Sequence, residues 1–254
     1  MFFEKGMRII HMSDLHLTSD RHQIWGVDTF RHFVKALDRI ANITNVDCIV
    51  VSGDIADDGD LLTYQYADEM LNMLDVPVLW CPGNHDNINT FFKFGQNSKS
   101  IISSPQVIKG FRFVSVNSVA PDDDNPNKNR SKGIIFENDF QKMKIDMQYK
   151  GLQTILVMHH PSFDPGGWLA NKILKNKEVF METIQKFEDI FLILCGHIHY
   201  YMRYEMIDKT IISAPSVGFA FNKDLPQFEI DNGNEGFLII DIENRHITIE
   251  AVKL

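Results

Sequence analysis

The chain is short of several things, and each shortage removes a class of protein. Cysteine accounts for only 3 of its 254 residues, too few and too odd a number for a disulfide framework, so a reducing compartment is expected. Positive charge is in deficit: 25 Lys and Arg against 34 Asp and Glu give a formal net charge of −9. A protein that tracks long nucleic acid needs clustered Lys and Arg to neutralise phosphates, and the sequence carries no such track. No apolar run approaches the ~18 residues of a membrane-spanning helix; the strongest, 191–195, stops at Gly196-His197. Residues 1–8 hold neither an apolar leader core nor a small-residue cleavage site, so no membrane partner and a cytoplasmic location are expected. No Ser/Gly-rich linker and no internal repeat divides the chain, so residues 1–254 read as a single domain. A hydrophobic content of 44% with 23% charged residues excludes general disorder, and this length can bury a core without staples.

What is present is a repeated pattern of short apolar strand, polar turn and amphipathic helix. Strand-like runs rich in β-branched and aromatic residues fall at 8–12, 48–51, 76–80, 111–116, 154–158 and 191–195. Phe30, Phe33, Val34, Leu37 and Ile40 follow a 3.6-residue period, with Asp28 or Thr29 as N-cap. Leu62, Tyr66, Met70, Met73 and Leu74 predict a second helical face, and Val179, Phe180, Ile184 and Phe187 a third. Beyond residue 200 the segments 201–207, 210–213, 237–242 and 246–252 are β-rich, which predicts an α/β core with an added sheet. The acidic stretch 121–130 reads as a flexible loop.

Five of the strand-like runs end in residues that ligate hard or borderline metals: Asp14-Leu15-His16, Gly53-Asp54, Gly83-Asn84-His85-Asp86, His159-His160-Pro161 and Gly196-His197-Ile198-His199. Strand ends are where ligands gather in open α/β sheets. Residues i and i+2 of an extended chain share a side, so Asp14 and His16 are expected to reach one ion, and His197 and His199 neighbouring ions. Gly53, Gly83 and Gly196 are expected to let the ligands approach closely. Carboxylate, imidazole and amide donors without thiolate suit Mn, Fe, Zn or Mg. Singly, each piece has a plain alternative: a surface pair for Asp-x-His, an ordinary turn for Gly-Asp, a capped helix start for Asn-His-Asp. Their order, each after an apolar strand, is what carries the reading.

This series resembles the signature of the calcineurin-like metallophosphoesterase superfamily: Asp-x-His, Gly-Asp, Gly-Asn-His-Asp/Glu, His and Gly-His-x-His, here spread from residue 14 to 199. The resemblance implies a four-layer αββα sandwich of two stacked mixed β-sheets with helices outside and a dinuclear metal site at the strand C-terminal ends. Carried over by position, Asp14, His16, Asp54 and His199 hold one divalent ion, and Asp54, Asn84, His159 and His197 hold the other, with Asp54 bridging. His159 is preferred to His160 because the family ligand lies two residues before the proline, here Pro161. The ions, Fe, Mn or Zn, would share a bridging hydroxide that attacks phosphorus. With Asp14 and Asp54 they leave about one net positive charge, suited to a monoanionic phosphodiester whatever the global charge. His85 is assigned as catalytic proton donor with Asp86 fixing its tautomer, an effect typically worth ~10²–10⁴ in rate.

Phosphoprotein phosphatases carry Gly-Asp-x-Val-Asp-Arg-Gly, whereas this chain has Gly53-Asp54-Ile55-Ala56-Asp57-Asp58-Gly59, with no arginine to clamp a phosphomonoester. Asp57, Asp58 and Asp60 read as solvated loop charges. Gly26-Val27-Asp28-Thr29-Phe30, His159-His160-Pro161 followed by Trp168-Leu169, Cys195 to His199, and Ala214-Pro215-Ser216 resemble the bacterial class III cyclic nucleotide phosphodiesterases. That implies hydrolysis of 3′,5′-cyclic AMP to AMP and leaves a homodimer open. The sequence departs from the pattern at His159-His160-Pro161-Ser162-Phe163 and in the long 121–130 loop. A glycerophosphodiester or broad-specificity phosphodiesterase/phosphomonoesterase shares the same ligands; a noncatalytic scaffold would tolerate lost ligands, and none is lost. Phe163, Trp168, Tyr200, Phe219 and Phe221 are weighed as base-stacking groups against simple core packing. His11 and His22 read as supporting or packing residues, and Cys48, Cys81 and Cys195 as small hydrophobes.

Overall fold

The computed structural model describes residues 6–100, 104–125, 128–148 and 151–254. The first five residues read for a leader, and residues 126–127 of the acidic loop, lie outside them. In chain order the elements are β1 (Gly6–Met12), α1 (Thr29–Ile40), β2 (Cys48–Ser52), α2 (Leu61–Asn72), β3 (Val78–Cys81), α3 (Ile88–Gly95), β4 (Gln106–Ile108), β5 (Phe111–Ser115), α4 (Glu137–Asp146), β6 (Gln153–Val157), α5 (Lys177–Ile184), β7 (Ile190–Cys195), β8 (Met202–Glu205), β9 (Thr210–Ser213), β10 (Gly236–Glu243) and β11 (His246–Lys253).

Two mixed sheets result. The first has the order β11-β10-β1-β2-β3, parallel from β1 to β3 and antiparallel through β10 and β11. The second runs β4-β5-β6-β7-β9-β8, with four parallel strands inside two antiparallel edges. Strands β2 and β7 are buried along their whole length, as near-continuous apolar runs require when both faces are covered. Between the sheets Ile9, Val50 and Leu79 meet Phe113, Val157 and Leu194. Outside the first sheet Phe33, Leu37, Tyr64, Leu71 and Phe91 of α1–α3 cover Ile10, Ile49 and Val51. Outside the second, Phe140, Phe180 and Ile184 of α4 and α5 cover Val114, Leu156 and Ile193. The four layers expected from the resemblance are therefore present.

Local signals explain where elements begin. The Asp28 carboxylate accepts from the Arg31 amide at 2.9 Å and caps α1, and Asp60 caps α2 through the Leu62 amide. Of the predicted face of α2, Tyr66, Met70 and Leu74 pack against the core while half-buried, Leu62 and Met73 are exposed, and the helix is fully buried through Thr63, Tyr64, Ala67 and Leu71. The Tyr64 hydroxyl donates to Asp86 at 3.0 Å, a polar tether between α2 and the loop after β3. Val179 likewise faces solvent, while α5 packs through Phe180, Thr183 and Ile184. Among the described residues no helix is long and apolar enough to cross a membrane.

Phe113 is fully buried between the sheets. Phe113→Ala is expected to cost about 3–5 kcal/mol, seen as a lower urea midpoint at unchanged slope.

Candidate active site

Five loops leave the C-terminal ends of β1, β2, β3, β6 and β7 and converge on one edge of the sandwich. Backbone hydrogen bonds lace them together: Asp14 N to Gly53 O, His16 N to Asp54 O and Gly196 N to His159 O, each 3.0 Å. Asp14, His16, Asp54, His197 and His199, five of the seven expected ligands, have φ between 48° and 72°. That left-handed region is sparsely used by residues with a Cβ, and each such residue costs on the order of 1–3 kcal/mol unless its surroundings hold it there. The donor atoms of Asp14 and His16 fall in one cluster with His199, and that of His197 in another with His159, through tight turns rather than the extended chain expected. Gly53 (φ +97°) sits where a Cβ would meet the His159 ring, and a Cβ on Gly83 would run into Asp54.

The donor atoms form two groups. In one, His199 Nε2 lies 3.3 Å from both Asp14 Oδ1 and His16 Nε2, and His16 Nε2 lies 3.8 Å from Asp54 Oδ2. In the other, His159 Nε2 lies 3.2 Å from the same Asp54 Oδ2, 3.1 Å from Asn84 Oδ1 and 3.3 Å from His197 Nδ1. The remaining ring nitrogens are occupied outward: His16 Nδ1 by Asp57 (2.8 Å), His199 Nδ1 by Phe219 O (2.6 Å), His159 Nδ1 by Ser52 O (2.8 Å) and His197 Nε2 by Lys172 O (2.8 Å). A ring nitrogen that donates outward leaves the inward nitrogen free to offer its lone pair to a cation, once any proton on it is displaced. The lone pairs of His16 and His199 then face each other at 3.3 Å, a repulsive arrangement that a cation between them reverses. The donor sets thus fit two hard or borderline divalent ions sharing Asp54.

The titration shifts show the same compensation. Burial works against the charge of Asp14, yet His199 and His159 hold it well below the ordinary carboxylate range. Asp54 behaves likewise, burial being outweighed by His159, His85 and His16. Burial opposes protonation of His159, but Asp54 and Asp14 raise it to about 9. Burial and the neighbouring His159 push His197 down to about 3.

His85 and Asp86 are placed differently from each other. Asp86 does not orient His85: its buried carboxylate accepts from the amides of Gly83 (2.8 Å), Ala56 (2.9 Å) and Ile55 (3.1 Å) and from Tyr64. It fastens the Gly53-Asp54 turn to the Gly83-Asn84 turn, a positioning role set by those backbone donors. Burial and the charge of Asp54 raise it to about 7. The partner of His85 is Asp57, 2.8 Å from its Nδ1 and also 2.8 Å from His16 Nδ1. Asp57 is thus a shared anchor of two imidazoles and no solvated charge; its place three residues after Asp54 was the available signal. His160 bonds Ser118 Oγ at 2.8 Å, and its Nε2 is buried without a partner among the described residues. His11 bonds Ser52 beneath the site at 2.9 Å, and His22 pairs with Asp20 at the surface.

A cleft of about 280 Å³ opens over the two donor groups, walled by Trp25, Trp168, Phe219, Phe221 and Phe228, with Lys172 beside them. The Phe221 ring stacks on His199 at 3.9 Å, and the Lys172 ammonium lies 4.9 Å from the Trp168 ring centre. Trp168, Phe219 and Phe221 were among the aromatic candidates; Phe163 instead stacks on Tyr204, and Tyr200 packs on the core beneath the second sheet. Trp25, Phe228 and Lys172 were missed, because nothing in the local sequence ties residues two hundred positions apart.

A sequence profile of calcineurin-like phosphoesterases matches residues 7–201. The chain belongs to the calcineurin-like phosphoesterase family. Among curated proteins it is 28% identical over 218 residues to a protein of Vesicomyosocius okutanii named "Probable cyclic nucleotide phosphodiesterase", covering 85% of this chain and 88% of that one. It is 24% identical over 241 residues to the 3′,5′-cyclic adenosine monophosphate phosphodiesterase CpdA of Escherichia coli K12, covering 94% and 86%. Its fold is shared with a dimetal phosphatase from Danio rerio at 13% identity and a TM-score of 0.57, covering 97% of this chain and 98% of that one.

His159 holds a proton up to about pH 9 in the metal-free chain, and a metal must displace it. Metal affinity, titrated calorimetrically between about pH 6 and 9, is therefore expected to fall as pH drops, by up to about tenfold per unit for each proton released. Asp54→Ala is expected to remove both ions and Asn84→Ala to weaken one, read as metal content after dialysis.

Proposed function

We propose that the protein is a dinuclear metal-dependent phosphodiesterase, a single domain acting in the cytoplasm, that hydrolyses 3′,5′-cyclic AMP to AMP. The observation that carries this is the pair of donor groups joined at Asp54 Oδ2, lying at the floor of an aromatic cleft. The names of relatives across most of the chain support the cyclic nucleotide. Two divalent ions, iron, manganese or zinc, held by Asp14, His16, Asp54 and His199 and by Asp54, Asn84, His159 and His197, would supply Lewis acidity to the phosphoryl oxygens and acidify the attacking water.

The protein's own groups account for the rest. Asp57 engages Nδ1 of His85, so Nε2 is left to carry a proton toward the leaving oxygen. Burial opposes the charge of His85, and the carboxylates of Asp54 and Asp57 raise it to about 9 in the metal-free chain. As water adds to phosphorus and the bond to O3′ breaks, that proton passes to O3′ and AMP is released. The adenine is held against Trp168, Phe221 and Phe228, since every base offers a π-face.

Relative kcat/KM on 3′,5′-cyclic AMP, an aryl phosphodiester and a phosphomonoester, with Mn²⁺-loaded protein, tests the reading. Cyclic AMP is expected to lead and the monoester to trail. His85→Ala is expected to lower kcat by ~10²–10⁴ with little change in KM, and Trp168→Ala to raise KM about tenfold. A metal-loaded protein that cleaves no phosphodiester would falsify the proposal; near-zero metal after dialysis would point to a scaffold.

A further inference from the structure

The second sheet has an open edge at β8. That strand pairs only with β9, in the register Met202↔Ser213 to Glu205↔Thr210. The hairpin closes where the Met206 amide donates to Lys209 O at 2.8 Å. Hydrogen-bonded pairs alternate along an antiparallel ladder. Tyr204 therefore turns its amide and carbonyl toward Ile211, while Arg203 and Glu205 turn theirs outward. Among the described residues no segment meets those four outward groups. An edge of this kind is a template for pairing with another chain.

Its side chains are sorted by face. Arg203 and Glu205 share one face and are ion-paired with each other. Arg203 also donates to Ile247 O at 3.1 Å, and Glu205 accepts from Thr210 Oγ1 at 2.9 Å. On the other face Tyr204 stacks on Phe163, with ring centres 5.6 Å apart and planes within 8°. Tyr201, Tyr204 and Ile207 are all exposed, three large apolar side chains within seven residues.

We propose that β8 is the contact between two copies of this chain, paired antiparallel about a twofold axis at Tyr204, so that their six-stranded sheets continue into one another. Charge selects the register. A twofold pairing that uses the outward groups can be centred on Arg203, Tyr204 or Glu205. The first sets Arg203 against its own counterpart, and the last does the same to Glu205. Centring on Tyr204 instead puts Arg203 opposite Glu205 of the second copy, twice by symmetry. The same axis allows four backbone hydrogen bonds between the copies and sets the two Tyr204 rings side by side. Carried past the strand ends, it brings exposed Tyr201 opposite exposed Ile207 of the second copy. A strand guarded against pairing carries proline or charge of one sign; β8 has neither. A four-residue seam is expected to bury less than the ~1,200 Å² of standard interfaces, so the dimer is expected to dissociate on dilution.

Sedimentation velocity on the full chain, over a concentration series, tests this. Wild-type protein is expected to pass from monomer to dimer as concentration rises, and less readily in high salt. Arg203→Glu and Glu205→Arg each place like charges at both cross-strand positions, and each is expected to raise the dimer Kd at least about tenfold. Mixed in equal amounts, the two variants regain opposite charges and are expected to form a heterodimer, which misfolded chains would not do. Glu205→Pro leaves the β8–β9 ladder intact, because that amide faces outward, and is expected to abolish the dimer. A wild type that stays monomeric would overturn the proposal and leave the edge to a chain of another kind. A dimer that none of these substitutions weakens would overturn it by placing the contact elsewhere. Variants that weaken the dimer singly but do not recover on mixing would overturn the pairing of Arg203 with Glu205.

Discussion

The buried carboxylate of Asp54 is the constraint on which the site depends. A carboxylate withdrawn from water costs several kcal/mol unless charge and hydrogen bonds replace its hydration. Here Asp14 and Asp54 are both buried in the same pocket, so their mutual repulsion adds to that cost. His16, His159 and His199 gather around them, while the amide of His85 holds Asp54 Oδ1 at 2.7 Å and the amide of His197 holds Asp14 at 3.0 Å. Each histidine is fixed in turn by an outward hydrogen bond. The result is a pair of preorganised donor sets whose ligating atoms face inward.

Bringing those groups together shapes the local backbone. Three of the converging loops leave the first sheet and two leave the second, so the sandwich must stack its sheets with these strand ends on a common edge. The left-handed turns at Asp14, Asp54 and His197 redirect the chain immediately after β1, β2 and β7. They persist because buried strands on one side and cross-loop hydrogen bonds on the other leave no relaxed alternative. Asp86 belongs to this framework: it ties three amides of two turns together and holds the Tyr64 hydroxyl of α2.

Much of this was legible in the sequence. Apolar runs such as 48–51 and 191–195 could be read as strands because both faces of a central strand are buried, and the period at Phe33 and Leu37 could be read as a helix because one face is. The candidate ligand residues could be read because each is tied by short spacing to the end of an apolar run. The burial of Tyr64 could not, because the carboxylate that its hydroxyl meets, Asp86, lies in another segment. The exchange of roles between Asp57 and Asp86 was equally hidden: both lie within three residues of a site residue, and only the direction of each side chain separates them.

By itself the sequence determined the class of chemistry, since the number and kind of donor groups and their places after strands are covalent facts that any fold must respect. Hydrophobic periodicity pointed only to an α/β core with an added sheet; the four-layer order came from the resemblance to the metallophosphoesterases. The tertiary structure alone decided how closely the donor atoms approach one another, which carboxylate pairs with His85, and which side chains wall the cleft. Those are matters of distance between residues remote along the chain, such as Trp25 and Phe228 with ring centres 5.2 Å apart, or Asn129 bonded to the carbonyl of Asn84. Contacts of that kind arise when the sheets stack and the loops close over their edge, and no local spacing encodes them.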